Sequence, residues 1–206
     1  ALAAYCVGIL TGLRFSVTAH AHYIYVDRTM LGEKLRAARF VATVSAYNAR
    51  LLGNLYGDYV AGKVHIVRCG VDHAADAAAV DPTSAGDGSG PENATGALRL
   101  VCVASLQPYK GHRFLIDAAA LLRDRGLPFS LTLVGEGEER ARLDDQVRYL
   151  GLEDHVILAG WQPSDRVRAL VAGADIFVLP SITTADGKKE GVPVALMEAL
   201  ALGRPC

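Results

Sequence analysis

The sequence predicts an α/β protein built on parallel sheets, in two units. Three observations carry that reading. Short β-rich runs alternate with amphipathic helical stretches, the pattern of parallel strands connected through helices. Between residues 73 and 97 the alternation stops, and Ala, Asp, Gly, Ser and Pro dominate, as in DPTSAGDGSGPENATG. Beyond that stretch the alternation restarts. Residues 1–72 and 98–206 therefore read as two α/β units joined by a linker or loop, the composition of which offers no periodic face to pack.

In the first unit the apolar run Ala1 to Leu13 reads as a helix buried against a sheet. It is shorter than the roughly 20 residues needed to span a bilayer. Arg14 to Ala19 (RFSVTA) reads as a strand followed by a polar loop, and helix signals cover Arg28 to Ala37. Phe40 to Val44 is a second strand. Ser45 is placed to cap a helix through Ala46 to Leu55, and Lys63 to Val67 (KVHIV) is a third strand ending at Cys69-Gly70-Val71-Asp72. In the second unit strands are expected at Arg99 to Ala104, Phe129 to Val134, His155 to Leu158 and Asp175 to Leu179. Helices fit Gly111 to Arg125, Glu138 to Tyr149, Ser164 to Ala172 and Pro193 to Leu202. Ser164 can cap its helix, but Val167 three residues on rules out a capping box.

Composition fits a globular chain: of 206 residues, 51% are hydrophobic and 21% charged, enough apolar material for a sizeable core. A formal net charge of −1 gives no basic stripe to neutralise nucleic-acid phosphates. The pair Lys188-Lys189 reads as solvated surface. Cys6, Cys69, Cys102 and Cys206 have no CxxC spacing and read as small buried hydrophobes in a reducing compartment. No secretory signal pattern opens the chain. It starts inside a helix and closes at Gly203-Arg204-Pro205-Cys206, where another strand is due, so a fragment of a longer protein is expected.

Ligands of such folds bind beyond the carboxyl ends of the strands, which directs attention to the following loops. The sharpest constellation is Glu190-Gly-Val-Pro-Val-Ala-Leu-Met-Glu198. Pro193 suits the first turn of a helix. Eight residues of helix would set the two carboxylates about 12 Å apart, too far to share a proton or a metal but suited to two ends of an elongated ligand. The amides of Gly191 and Val192 would lie at the positive end of that helix, suited to phosphate or hydroxyl oxygens. Taken alone, two glutamates on a helix surface are ordinary solvated side chains.

A second constellation, VCVASLQPYKG (101–111), is a strand, a loop and Lys110-Gly111 opening a helix. There an ammonium group and helix-start N–H donors can meet a diphosphate. LTLVGEG (131–137) runs from a strand into Gly135-Glu136-Gly137. Such a turn is common in any tight βα connection, and Glu136 and Glu138 read as solvated acids at a helix start. Gly160-Trp161 follows another strand. In Thr18-Ala19-His20-Ala21-His22 two histidines stand at i, i+2 with no third metal ligand at a useful spacing.

EGVPVALMEALALGRP resembles the E-x7-E motif, EGxPxxLxEAMAxGxP, of GT4-type (group 1) retaining glycosyltransferases. The resemblance implies a GT-B fold, two Rossmann-like domains facing across a cleft, both incomplete here. Residues 1–72 would be part of the acceptor-side domain and 98–206 part of the nucleotide-sugar domain. It implies Glu190 beside the donor sugar and Glu198 on the ribose hydroxyls, with Gly191 and Val192 between them. Lys110 matches the phosphate-binding lysine of GRLxxxKG, but Ser105 stands at the family's arginine, leaving half of the usual positive clamp absent. Gly135 and Gly137 match the loop beside the donor phosphates and base, and Gly160-Trp161 the nucleobase region.

FSVTAHAHYIYVDRTMLGEKLRAARFVATVSAYN resembles the acceptor-side half of exopolysaccharide glycosyltransferases of the colanic acid or amylovoran kind. That places a catalytic histidine at His20, with His22 and Gly70 on the acceptor side. Tyr23 stands where such relatives carry aspartate, and Cys69-Gly70-Val71-Asp72 resembles their NGVD turn. The expected activity is retaining transfer of a sugar from a UDP- or GDP-sugar to a saccharide or lipid-linked acceptor, with no cofactor, no metal and no nucleic-acid partner. The expected location is cytoplasmic, at the inner face of the membrane if missing segments associate with it. A nucleotide-sugar epimerase and a non-catalytic nucleotide-sugar-binding fragment stay open as alternatives.

Overall fold

The computed structural model of the chain describes residues 2–71 and 96–206, with His22 described by its backbone only. Of the expected linker, residues 73–95 lie outside the described residues, as does Asp72; Gly96 and Ala97 lead directly into a strand. By its internal contacts the chain divides into two units. The first holds residues up to Cys69 together with Thr183–Val192, and the second holds the described residues from Gly70 to Ile182 together with Pro193–Cys206.

The first unit opens with α1 (Leu2–Thr11), then β1 (Val17–Ala19), α2 (Ala21–Tyr25), α3 (Leu31–Ala37), β2 (Val41–Thr43), α4 (Ala46–Tyr56), α5 (Asp58–Ala61) and β3 (Val64–Ile66). The strands form a parallel sheet in the order β1-β2-β3, with Val17 opposite Val41 and Val41 opposite Val64. Its core is Val17, Ala19, Ile24, Leu35, Val41, Leu52 and Val60, all buried. Ser45 caps α4 as expected, its hydroxyl accepting from the Asn48 amide at 3.2 Å.

The remaining strands and helices are β4 (Leu98–Val103), α6 (His112–Asp124), β5 (Phe129–Val134), α7 (Arg140–Tyr149), β6 (Val156–Gly160), α8 (Ser164–Gly173), β7 (Ile176–Phe177) and α9 (Val194–Ala201). The four strands are parallel, in the order β6-β5-β4-β7. Both faces are covered, as parallel sheets require, and β4 shows it by its period of two. Leu100 and Cys102 join one apolar cluster with Ile116, Leu131, Leu133 and Leu143. Val101 joins the opposite one with Val134, Val171, Phe177, Ala199 and Leu202.

Several expectations need correction. α1 forms but buries no residue, and Leu10 is 83% exposed. Its apolar residues run all round the helix, and its Tyr5 ring meets Phe15 edge-on. The polar loop after β1 contains α2, and the helix expected from Arg28 begins at Leu31, behind Met30 in the left-handed region at φ 52°. Ser164 is the first helical residue of α8 and caps nothing; Pro163 holds the cap position. Pro193 likewise caps α9 instead of lying in its first turn. Of the cysteines only Cys102 is buried, and Cys6 and Cys206 are exposed.

Candidate functional site

The strand order of the second unit decides where its ligand crevice lies. The chain builds outward from β4 through β5 to β6, then returns to lay β7 on the other side of β4. The connections after β4 and β7 run to helices on opposite faces of the sheet, the topological position at which ligands of such folds bind. The loops that open those connections are 104–111 and the chain after Phe177.

The two loops are fastened to each other through backbone. Ile182 N–H donates to the Tyr109 carbonyl at 2.8 Å, and Val178 N–H to the Val101 carbonyl at 2.8 Å. Pro108–Lys110 make one 3-10 turn, ended by Gly111 at φ 74°, which is also the cap of α6. A Cβ at Gly111 would lie 2.0 Å from the Pro180 carbonyl oxygen, so the close approach of these loops requires glycine for both reasons. Lys110, half-buried, carries its ammonium 5.1 Å from the Tyr109 ring centre. Its charge sits at the amino end of a 13-residue helix, where unpaired N–H groups already favour an anion.

Behind Lys110 the chain is buried. His112, the first residue of α6, is 2% exposed. Burial and then the Lys110 charge push its imidazole down to about 4, so the ring is neutral near pH 7 and adds no second cation. Burial pushes the Cys102 thiol up to about 12, which leaves it without nucleophilic thiolate.

The loop after β5 folds against the loop after β4. Leu106 N–H donates to the Glu136 carbonyl at 2.9 Å and Glu139 N–H to the Leu106 carbonyl at 3.0 Å. A Cβ at Gly135 would stand 2.0 Å from Ala104 O, and one at Gly137 2.4 Å from Leu106 O. Both glycines thus serve the packing of two βα turns. Ser105 is exposed between them. Glu136 pairs with Arg140 at 3.4 Å, a mostly exposed ion pair. Trp161, immediately after β6, is 72% exposed. Glu198 is an exposed residue of α9, whose Ala199 and Leu202 pack into the core with Phe177.

Glu190 falls in the other unit. Segment 183–192 groups with β1 to β3, and there Gly191 lies against Ala21: a Cβ added to it would be 3.3 Å from the Ala21 Cβ. Ala21 opens α2 directly after His20, an exposed residue at the end of β1. The first unit thus brings the His20 turn and the Glu190 segment together. His22 lies in α2 but has no described side chain. Gly191 N–H faces the Glu190 carboxylate at 3.3 Å. Gly191 and Val192 precede the cap of α9, so their amides are not the helix-end donors expected of them. Gly70 keeps an ordinary φ, and a Cβ placed on it would meet none of the described residues within 4 Å; neither close approach nor a left-handed turn calls for glycine there.

The family described as Glycosyl transferases group 1 matches residues 91–206, more than half of the chain. The chain belongs to that family. The amylovoran biosynthesis glycosyltransferase AmsK of Erwinia amylovora is 44% identical over 108 residues, 52% of this chain and 26% of AmsK. A GDP-mannose-dependent alpha-(1-6)-phosphatidylinositol monomannoside mannosyltransferase of Mycolicibacterium smegmatis is 35% identical over 107 residues, covering 52% of this chain and 28% of that protein. The chain thus spans about a quarter of the length of these relatives. Anabaena Alr3699/HepE, solved in complex with UDP and glucose, superposes with a TM-score of 0.71 at 19% identity, over 99% of this chain and 55% of HepE. At that identity the likeness establishes a shared fold, the GT-B α/β architecture.

Within this group 1 chain the sequence points to Lys110, Glu190 and Glu198 but not to the groups that hold them. Gly111 is legible as a helix opener, not as a contact of Pro180. Lys189, expected at a solvated surface, stands 4.6 Å from the ring centres of both Tyr25 and Tyr47. No local pattern announces such a contact, because its Tyr47 partner is 142 residues away along the chain.

Proposed function

We propose that this chain is part of an enzyme that transfers a sugar, with retention, from a UDP- or GDP-sugar to a saccharide or lipid-linked acceptor in polysaccharide assembly. Residues 1–72 belong to its acceptor side and 98–206 to its donor side, apart from the segment 183–192, which groups with the first unit. The observation that carries the reading is the switch-point loop of the second unit. Lys110 ends a 3-10 turn that Gly111 and Pro180 hold rigid at the start of α6, and an ammonium group placed at a helix amino end is suited to a diphosphate.

In this reading Lys110 and the α6 amides take the charge that develops on the departing diphosphate, Glu198 holds the ribose and Glu190 orients the sugar hydroxyls. The bond from the anomeric carbon to the phosphate oxygen breaks, and an acceptor hydroxyl oxygen bonds to that carbon from the same face. The acceptor proton passes to the leaving phosphate oxygen, so no separate base is required. His20 stands by at the end of β1 to approach the reacting sugar and acceptor. Ser105 supplies no positive charge where family members carry arginine, so the diphosphate clamp rests on Lys110 and backbone N–H groups. Similarity to AmsK supports an exopolysaccharide setting. HepE bound to UDP and the GDP-mannose-dependent relative support the two candidate bases.

The test is a thermal-shift screen of the full-length protein against UDP-, GDP- and ADP-sugars, followed by nucleotide release with and without saccharide acceptors. Acceptor-dependent release is expected. An epimer formed from donor alone would replace transfer by the epimerase reading. Glu190→Ala is expected to abolish transfer, and Lys110→Ala to raise the donor KM and lower kcat by about tenfold or more. Unchanged kinetics in both variants would remove the assignment.

A further inference from the structure

The segment that bears Glu190 is held by a clamp that the proposed chemistry does not itself use. Lys189 Nζ lies 4.6 Å from the centre of the Tyr25 ring and 4.6 Å from that of Tyr47, and it donates to the Tyr47 hydroxyl at 2.8 Å. The two rings stand 6.4 Å apart and tilted by 56°, and the ammonium group lies beside both, at the hydroxyl end of Tyr47. Each tyrosine is anchored in turn. Tyr25 O–H donates to the Asn48 side-chain oxygen at 2.5 Å, and Asn48 is fully buried in the first turn of α4, where its amide meets the Ser45 cap. Tyr47 belongs to the same first turn. Burial raises the Tyr25 hydroxyl above its ordinary range, against the opposing pull of Lys189, so it remains a hydrogen-bond donor.

On the other side of Glu190, Gly191 is pressed against Ala21. Glu190 is therefore bracketed by two neighbours, one gripped by α2 and α4 and the other stacked on the start of α2. A glutamate flanked by two fixed residues has far fewer positions for its carboxylate than one on an open loop.

We propose that Lys189 is a positioning residue: its hydrogen bond to Tyr47 and its contact with the Tyr25 ring fix the backbone of 189–191 and so set where the Glu190 carboxylate meets the donor sugar. This rests on the reading of Glu190 as a sugar contact. The effect belongs to the sugar and not to the nucleotide, because in that reading Glu190 contacts the sugar while Lys110 contacts the diphosphate. One cation–π contact of partly exposed groups, taken with one hydrogen bond to a charged donor, corresponds to a change of about tenfold in an equilibrium constant.

The experiment is calorimetric titration of the full-length protein with UDP, UDP-glucose, GDP and GDP-mannose, for wild type, Lys189→Met, Lys189→Arg, Tyr47→Leu and the Lys189→Met/Tyr47→Leu pair, each checked for unchanged secondary structure. Lys189→Met is expected to weaken binding of the recognised sugar nucleotide about tenfold while leaving the free nucleotide unchanged. Lys189→Arg, which keeps a cation that stacks and donates, should restore most of the loss. The double variant should bind the sugar nucleotide no more weakly than Lys189→Met alone. Equal weakening of nucleotide and sugar nucleotide, or full additivity, would overturn the proposal. If Glu190→Ala weakens sugar-nucleotide binding and Lys189→Met does not, the positioning role fails while the donor-site reading stands. If wild type binds none of the four probes, both fail together.

Discussion

At the scale of single residues, glycines that look alike in the sequence have different physical duties. From sequence, Gly70 reads as an acceptor-side turn glycine and Gly111 as the opener of a helix. The structure reverses the emphasis. Gly111 adopts φ 74° and a methyl group there would overlap Pro180 O at 2.0 Å, whereas one at Gly70 would meet none of the described residues within 4 Å. Gly111→Ala is thus expected to cost about 2–4 kcal/mol, through the left-handed backbone and displacement of Pro180, and to weaken donor binding by moving Lys110. Gly70→Ala is expected to stay within about 0.5 kcal/mol of wild type. Urea unfolding of both variants checks the pair, and equal losses would refute the distinction. Charged side chains divide in the same way. Lys110 is legible because a short motif surrounds it, whereas the role of Lys189 is not, since the tyrosines that seat it come from α2 and α4.

At the scale of elements, the sequence disclosed what depends on period and local caps. The run β4 to β6 with its helices and the Ser45 cap follow from alternation and from N-cap chemistry. It did not disclose α2 and α5, of five and four residues, because one turn of helix leaves no periodicity to count. Nor did it disclose α1's exposure, since an all-apolar helix carries no face that distinguishes core from surface.

His112 is another element-scale property: its place at the buried start of α6 comes from the packing of that helix on β4 and β5, and it makes stability depend on pH. The folded imidazole is held down to about 4, below the ordinary value near 6.5. The unfolded chain therefore binds the proton first, so the full stability contribution is present above about pH 6.5 and falls as the pH drops toward 4. The slope from this one group approaches about 1.4 kcal/mol per pH unit in that window. In His112→Leu the acid limb should be shallower by that amount between about pH 6 and 4.5, measured by chemical unfolding across pH. Parallel profiles for wild type and variant would show that the ring is charged in the fold.

At the scale of the whole molecule, two features combine. The net charge of these 206 residues is −1, so they set up no strong field of one sign, and an anion would be recognised here by local groups. The apolar clusters are also separate: Val17, Ile24, Leu52 and their neighbours in the first unit, and the two faces of β4 and β5 in the second. Each unit thus has an apolar core of its own, which contributes to its local stability. A nucleotide that binds only through the second unit then stabilises that unit by mass action, by about 2.7 kcal/mol when its free concentration is about 100 times Kd. Hydrogen exchange of the full-length protein with saturating UDP or GDP should accordingly show slowing of up to about a hundredfold in the amides of 104–112 and 133–139, the turns that meet at the carboxyl ends of β4 and β5. Amides of β1 to β3 should be little changed by the nucleotide alone. Adding the sugar should extend protection to 189–191, where Glu190 is held. Protection spread evenly through both cores, or confined to the first unit, would mean that the diphosphate is not bound at Lys110 and the amino end of α6.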